Sequence, residues 1–214
     1  KMNIFALSEN PVKAAKEMLD KHVVKMPTET CQMLHTNALF NEYVDKFGEE
    51  PSLRQLKQYH TDTESILMKP AMLNHPSTIW ARESRHNTEW LFRHGLALCR
   101  EFFFRYEKVH GSEKRIEDIS KLVNGNILHA TPVNIAMLDK YRIPNNYGNH
   151  CWEYVIDSYR HYYLEGKWEF AEWRKNRMPE WWPKGHKFHK LIERQNKLHL
   201  ENERLKQIQK EKLK

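Results

Sequence analysis

The chain has 214 residues, 40% hydrophobic and 29% charged, which fits one globular domain of ordinary size or a domain with a tail. No run approaches 18 consecutive apolar residues, so no transmembrane helix is expected, and the apolar run at the N-terminus is too short for a signal peptide. Cys31, Cys99 and Cys151 are widely spaced and odd in number, which excludes a disulfide framework or a CxxC metal pair and suits a reducing, cytoplasmic setting. Lys1 reads as an added residue and Met2 as the native start. The formal net charge is +7, unevenly spread: residues 184–214 hold ten Lys/Arg against four Glu, a surplus of six, leaving +1 for residues 1–183. A basic tail suits a polyanion such as nucleic acid, and equally a solvated helix that keeps the protein in solution.

Glycine is scarce, at 7 of 214, and apolar residues recur at helical spacing through most of the chain. Asn10-Pro11 starts a helix, with Asn as cap and Pro in the first turn. Val12, Ala15, Leu19, Val23 and Met26 form one face of it, and Pro27 opens a second run that turns Cys31, Leu34, Ala38 and Tyr43 inward. Residues 48–51 break the pattern, residues 52–59 form a short helix, and residues 61–74 are loop-like. Pro76 begins another helix, and residues 84–110 carry the strongest helical period. Ser112 caps a helix to Val123, Asn124-Gly125-Asn126 turns, Pro132–Leu138 is a short segment, and residues 141–150 form a loop. Residues 151–165 are helical and rich in tyrosine, and residues 168–173 continue that helix beyond Gly166. Residues 177–185 close the body with tryptophan and proline. From His186 a charged helix places Leu191, Leu198 and Leu205 seven apart, but its companion positions are mostly polar, which argues against a stable coiled coil. The expected class is all-α: a compact domain over residues 2–183 with a basic helical tail over 184–214.

No P-loop, GxGxxG, HExxH or zinc spacing occurs, so no cofactor is expected. Thirteen histidines invite a metal reading, but the paired Glu-x-x-His pattern of a di-iron site is missing, and no metal is expected either. One cluster is Asp20, Lys21, His22, Lys25 and Glu29 around Pro27, where a carboxylate near an amine can act as general base or steady a developing cation. The plainer reading is an ion-pair network on adjoining helix ends. A second cluster gathers His75, Arg82, Arg85, Asn87, Arg93 and His94, with Trp80 and Trp90 on the same stretch. Arginines there can hold phosphates, and Trp90 fits the core better than a stacking platform. Arg105, Lys108 and His110 interleave with aromatic residues, a weak nucleic-acid signal. Trp181 and Trp182, adjacent between prolines, cannot both be buried by helical period, so one is expected to stand out as a stacking or wedge element, or to plug the domain.

The chain resembles a widespread phage-type group that opens Met-Asn-Ile-Phe and carries Lys-His-Val-Val-Lys-Met, here residues 2–5 and 21–26. More remotely it resembles the pyrimidine-dimer DNA glycosylases, the family of phage endonuclease V. That family has an Asp-x-His followed by its catalytic Glu seven residues after the His, and Asp20, His22 and Glu29 stand at that spacing. Asn74-His75-Pro76 and the closing Pro179-Glu180-Trp181-Trp182 match two further segments. The resemblance implies a compact all-α DNA-repair fold and a partly neutral N-terminal α-amine as nucleophile. It departs in two places. Asn3 after Met2 usually leaves the methionine in place, so the amine of Met2 would have to serve, and Thr28 replaces an arginine that precedes the family's Glu.

The resemblance thus implies an enzyme acting on a damaged or modified pyrimidine nucleotide in duplex DNA, by base flipping. Glu29 would be catalytic, with His22 orienting Glu29 or phosphate and Met2 supplying the amine. Lys21, Lys25, His75, Arg82, Arg85, Asn87, Arg93 and His94 would contact the nucleic acid, and Trp181 or Trp182 would fill the gap in the stack. Lys21 or Lys25 could replace the α-amine if burial lowered its pKa. The alternatives are a phage base-hypermodification transferase on the same fold and a non-catalytic binder of nucleic acid or a host protein. A phage-encoded protein of either kind would act in the host cytoplasm.

Overall fold

A computed structural model describes residues 2–123 and 125–212. The expectations at Lys1, at Asn124 in the turn and at the last two tail residues lie outside the described residues. Eight α-helices and no strand occur among them: α1 (Pro11–Glu17), α2 (Asp20–Phe47), α3 (Leu53–Asp62), α4 (Pro76–Arg82), α5 (Arg85–Tyr106), α6 (Glu113–Asp118), α7 (Trp152–Gly166) and α8 (His186–Lys212).

The helix starts follow local chemistry. Asn10 Oδ1 accepts from the amides of Val12 and Lys13 and so caps α1, Ser52 makes a capping box with Gln55 on α3, and Ser84 caps α5 through the Asn87 amide. Gly48 ends α2 with φ +70°, a left-handed turn that costs a residue without Cβ little. Ser112 is not the expected cap: its hydroxyl goes to Thr28, α6 stops at Asp118, and a short 3-10 turn, Ser120–Leu122, follows. Beyond Gly166 a 3-10 turn, Trp168–Phe170, replaces the expected continuation of α7.

The first helix boundary differs from the sequence expectation. Pro27 does not open a helix; it lies inside the 28-residue α2. The break falls earlier, at Met18 and Leu19, whose backbones are extended. A buried arginine explains the position. Arg105 of α5 is fully buried; its Nη2 donates to Lys16 O and its Nη1 to Met18 O, satisfying carbonyls left open where α1 ends. Nη1 also reaches Asp20 Oδ1 at 2.9 Å and Nε reaches Glu101 Oε1 at 2.9 Å. Arg105 is therefore interior, not a basic group offered to nucleic acid. Across Pro27 the helix continues because Val23, Met26, Cys31 and Leu34 bury one common face.

α2 packs along α5, and the two approach closely where Gly95 meets Thr30: a Cβ at 95 would lie 2.9 Å from Thr30 Cγ2. Trp80 and Trp90 meet edge to face in the core, their indoles donating to Thr131 O and Glu9 O. Cys31 and Cys99 are buried there, and burial pushes their thiols up to about 11 and about 12. A smaller cluster of Leu39, Phe40, Tyr43, Leu56 and Leu73 joins the far end of α2 to α3. The first turns of α8 are tied to the body by Lys190–Glu165 and Arg194–Glu169; from Gln195 to Lys212 every residue is exposed.

Replacing Arg105 with methionine strands two buried carboxylates. Equilibrium urea unfolding should show a loss of about 3–5 kcal/mol. A loss below about 1 kcal/mol would mean that the network does not hold the α1–α2 break.

Candidate active site

The N-terminal segment runs extended and buried through the middle of the molecule, from Met2 to Leu7. Asn3 fixes it. Its Nδ2 donates to Ala136 O, and its Oδ1 accepts from the Ile4 amide and from Tyr159 Oη of α7. Its backbone N–H donates to Glu29 Oε2 at 3.0 Å. The other Glu29 oxygen pairs with Lys25 Nζ at 3.0 Å, one helical turn back. Met2 is buried, and Thr78 Oγ1 donates to its sulfur at 3.6 Å. Phe5 sits at φ +53°, a left-handed conformation that a bulky residue adopts only under tertiary constraint. The constraint is visible: its ring stacks on His22, centroids 4.1 Å apart.

His22 is buried, and its Nδ1 lies 2.6 Å from Tyr163 Oη. Burial raises the Tyr163 phenol well above its ordinary range, so Tyr163 donates and Nδ1 accepts. Burial, together with the Lys167 and Lys25 ammonium groups, lowers His22 to about 3 and keeps the imidazole neutral. The proton then sits on Nε2. Seven residues of helix span about 10 Å, so Glu29 stands two turns from His22. Their hydrogen bonds go to different partners, and the expected direct contact between them is absent.

Asn3, Phe5, His22 and Lys25 line a cleft of about 640 Å³; Glu29 is not in its lining but bonds two of these residues. Met2, His22, Lys25 and His75 line it, so four residues singled out in the sequence come together from the N-terminal segment, α2 and the start of α4. His75 caps α4, its Nδ1 accepting from the Ser77 amide at 3.2 Å. The opposite wall comes from residues that sequence reasoning missed: Ile135–Leu138, Arg142, Tyr162 and Lys167. Among these only Lys167 carried a local signal, a lysine beside a glycine at the end of a tyrosine-rich helix.

The other predicted contacts lie elsewhere. Lys21 is exposed, its Nζ 4.7 Å from the Phe170 ring centroid. Arg82 is half-buried over Phe40 and donates to Leu73 O at 2.7 Å. With Arg85 it borders a separate groove of about 550 Å³ that also carries Glu42, Asp45 and Glu83. Three carboxylates against two guanidiniums make a poor phosphate cradle. Arg93 is exposed and paired with Glu89 at 2.8 Å.

Asn87 and His94 correct the expectation of nucleic-acid contact. Both are fully buried, Asn87 bonded to Trp80 O and to Thr131, His94 to Pro11 O. The tryptophan pair corrects it as well. Trp182 is 7% exposed against Trp173 and His186, and half-buried Trp181 donates its indole N–H to Glu17 Oε2 at 3.0 Å. Helical period did not apply because the segment has left the helix; Trp182 is covered, and Trp181 stays partly exposed. Asp20 of the Asp-x-His motif belongs to the Arg105 network, not to the cleft.

A sequence profile described as pyrimidine dimer DNA glycosylase matches residues 2–113, from the N-terminal segment to the first residue of α6. The chain belongs to that family. Membership makes its function DNA-acting and glycosylase-like in kind, and it supplies the segment on which Met2, His22, Lys25, Glu29 and His75 lie. Nothing among curated proteins or solved structures matches the chain. Among the described residues no helix is long and apolar enough to cross a membrane, and no three His, Cys, Asp or Glu side chains gather as a metal site would.

His22 sets a pH dependence. Its folded-state pKa lies below its ordinary value of 6.5, so on acidification the unfolded chain takes up the proton first. Its contribution to stability is constant above about pH 6.5 and falls by about 1.4 kcal/mol per pH unit from there toward pH 3. His22→Gln should flatten this part of the stability profile in urea melts at stepped pH, and an unchanged profile would refute a neutral buried His22.

Proposed function

We propose that this protein is an enzyme that removes or attacks a damaged or modified pyrimidine nucleotide in duplex DNA, with the cleft beside Glu29 receiving the extruded nucleotide. The observation that carries this reading is the Glu29 carboxylate, bonded to the Asn3 amide and to Lys25, two residues that line a cleft of cations and apolar side chains. Breaking a glycosidic bond builds positive charge on the sugar, and a fixed carboxylate stabilises it. Lys25 and Arg142 supply positive charge for the flanking phosphates, while the walls at Met26 and Ile135–Leu138 suit a base removed from water.

One observation favours the second reading, a transferase that modifies the base and leaves the strand intact. The nitrogen bonded to Glu29 is the peptide N–H of Asn3, not a free amine, and Met2 ahead of it is buried. The family's α-amine chemistry would need that nitrogen freed.

Mass spectrometry of the products separates the two readings. The protein is incubated with ultraviolet-damaged duplex, undamaged duplex and native phage DNA. Free base or cleaved strand is expected; an intact, heavier strand would establish the transferase instead. Glu29→Gln should lower single-turnover base release by about 10²-fold or more with substrate binding kept. Equal rates would remove Glu29 from the mechanism.

The basic tail adds sequence-independent affinity under this proposal. Deleting residues 195–214 should flatten the salt dependence of duplex binding, lowering the log–log slope by about 0.9 for each phosphate that the tail neutralises, and leave the thermal midpoint of the body in place. An unchanged slope would make the tail a bystander.

A further inference from the structure

Lys167 stands directly after Gly166 at the end of α7, outside the segment matched by the family profile, and faces the cleft with His22 and Lys25. Its Nζ lies 4.8 Å from the ring centroid of Tyr162, 5.8 Å from that of Phe170 and 6.0 Å from that of Phe5. Gly166 makes this aromatic bed possible. A Cβ at 166 would fall 2.8 Å from the Tyr162 ring and 2.9 Å from Tyr141 Cζ, so only glycine lets the two tyrosines close up beneath the lysine.

Two amines, Lys167 and Lys25, line the cleft together with His22. They are not equivalent. Lys25 is matched by Glu29 at 3.0 Å, whereas among the described residues no carboxylate pairs with Lys167. Lys21, the other lysine of this region, is exposed.

We propose that Lys167 is the amine nucleophile of this site, attacking C1′ of the target deoxynucleotide from the aromatic wall of the cleft. The inference rests on the glycosylase reading above. A lysine becomes nucleophilic near neutral pH when it is desolvated and placed beside another cation. Burial in the cleft pulls Lys167 below the ordinary lysine value, Tyr141 opposes it, and the Lys25 ammonium on the same cleft adds a smaller lowering.

The Nζ–C1′ bond forms as the C1′–N bond to the base breaks; the bonding pair leaves with the base, which takes up one proton. Opening of the C1′–O4′ bond, with one amine proton passing to O4′, gives a protonated imine on Lys167. Glu29 faces the positive charge that appears on C1′. On DNA that already lacks the base, the C1′ aldehyde condenses with Nζ and releases water to give the same imine.

The test uses the full chain and abasic-site duplex with borohydride, which reduces the imine to a stable secondary amine. Peptide mapping should find the adduct on Lys167. Lys167→Arg keeps the charge but cannot form the imine, and trapping should fall by about 100-fold or more. Thermal melting checks that the variant is folded, and duplex binding is measured in parallel.

An adduct on an α-amine, Lys21 or Lys25, or no adduct with the unaltered chain, overturns the proposal. So does equal trapping by Lys167→Arg. A loss of trapping that only tracks a loss of binding makes Lys167 a phosphate contact and overturns it as well. Base release, assayed separately, tells the two readings apart. Release without a Lys167 adduct removes the nucleophile alone. A Lys167 adduct with no base released from any DNA removes the glycosylase reading and leaves the reactive amine.

Discussion

A single guanidinium sets the path of the chain. Arg105 has no exposed side-chain surface, and its donors are shared among two carbonyls at the end of α1, a carboxylate at the start of α2 and a carboxylate on its own helix. Burying such a group is costly unless its hydrogen bonds are met. The geometry that meets them is a chain that leaves α1, extends for two residues and re-enters a helix in a new direction. The closing segment depends on the same centre, because Arg174 N bonds Asp20 and Arg177 bonds Glu101. The direction of α2, and with it the places of His22, Lys25 and Glu29, follows from this one network.

The second constraint is the buried N-terminal segment. A buried irregular segment inside a helical protein has no ladder to satisfy its backbone, so side chains take that part. Glu29 accepts from the Asn3 amide, and the Asn3 side chain bonds its own neighbour Ile4, Tyr159 and the Ala136 carbonyl. Glu29 therefore has a structural partner as well as a candidate chemical role. Phe5, turned into a left-handed conformation, brings its ring flat against His22 and seals the imidazole from water. A neutral histidine hydrogen-bonded to a buried tyrosine is a fixed donor, suited to orienting a ligand more than to shuttling protons at neutral pH.

The cleft is a composite of two parts of the chain. The family-matched part supplies Asn3, Lys25 and the two histidines, with Glu29 bonded behind Asn3 and Lys25; the part beyond residue 113 supplies Ile135–Leu138, Arg142, Tyr162 and Lys167. The first part brings Lys25 of the charge pair, and the second brings the apolar wall and Lys167, an amine that pairs with no carboxylate among the described residues. The closing tryptophans seal the far side, Trp173 bonding Glu17 O and Trp181 bonding Glu17 Oε2.

The sequence by itself determined the helical class, the cap at Asn10, and the spacing that marks His22 and Glu29. These are local properties: a period of 3.6, a side-chain oxygen near the first free amides, two helical turns between two residues. It also determined the family, because two of the three motifs, at residues 20–29 and 74–76, lie on the matched stretch. Tertiary structure alone decided which polar groups face outward. Asn87, His94 and Arg105 carry the same labels as surface residues, yet each fills its donors and acceptors inside the core, and only the positions of Thr131, Pro11, Lys16 and Met18 make that possible. Pro27 stayed within a helix because burial along α2 outweighs one lost hydrogen bond, while the break moved to where Arg105 could satisfy it. Lys167 lies more than 140 residues from Lys25 and joins the same cleft only because α7 packs beside the N-terminal segment. Contacts of that range are set by packing between distant elements, and no local pattern encodes them.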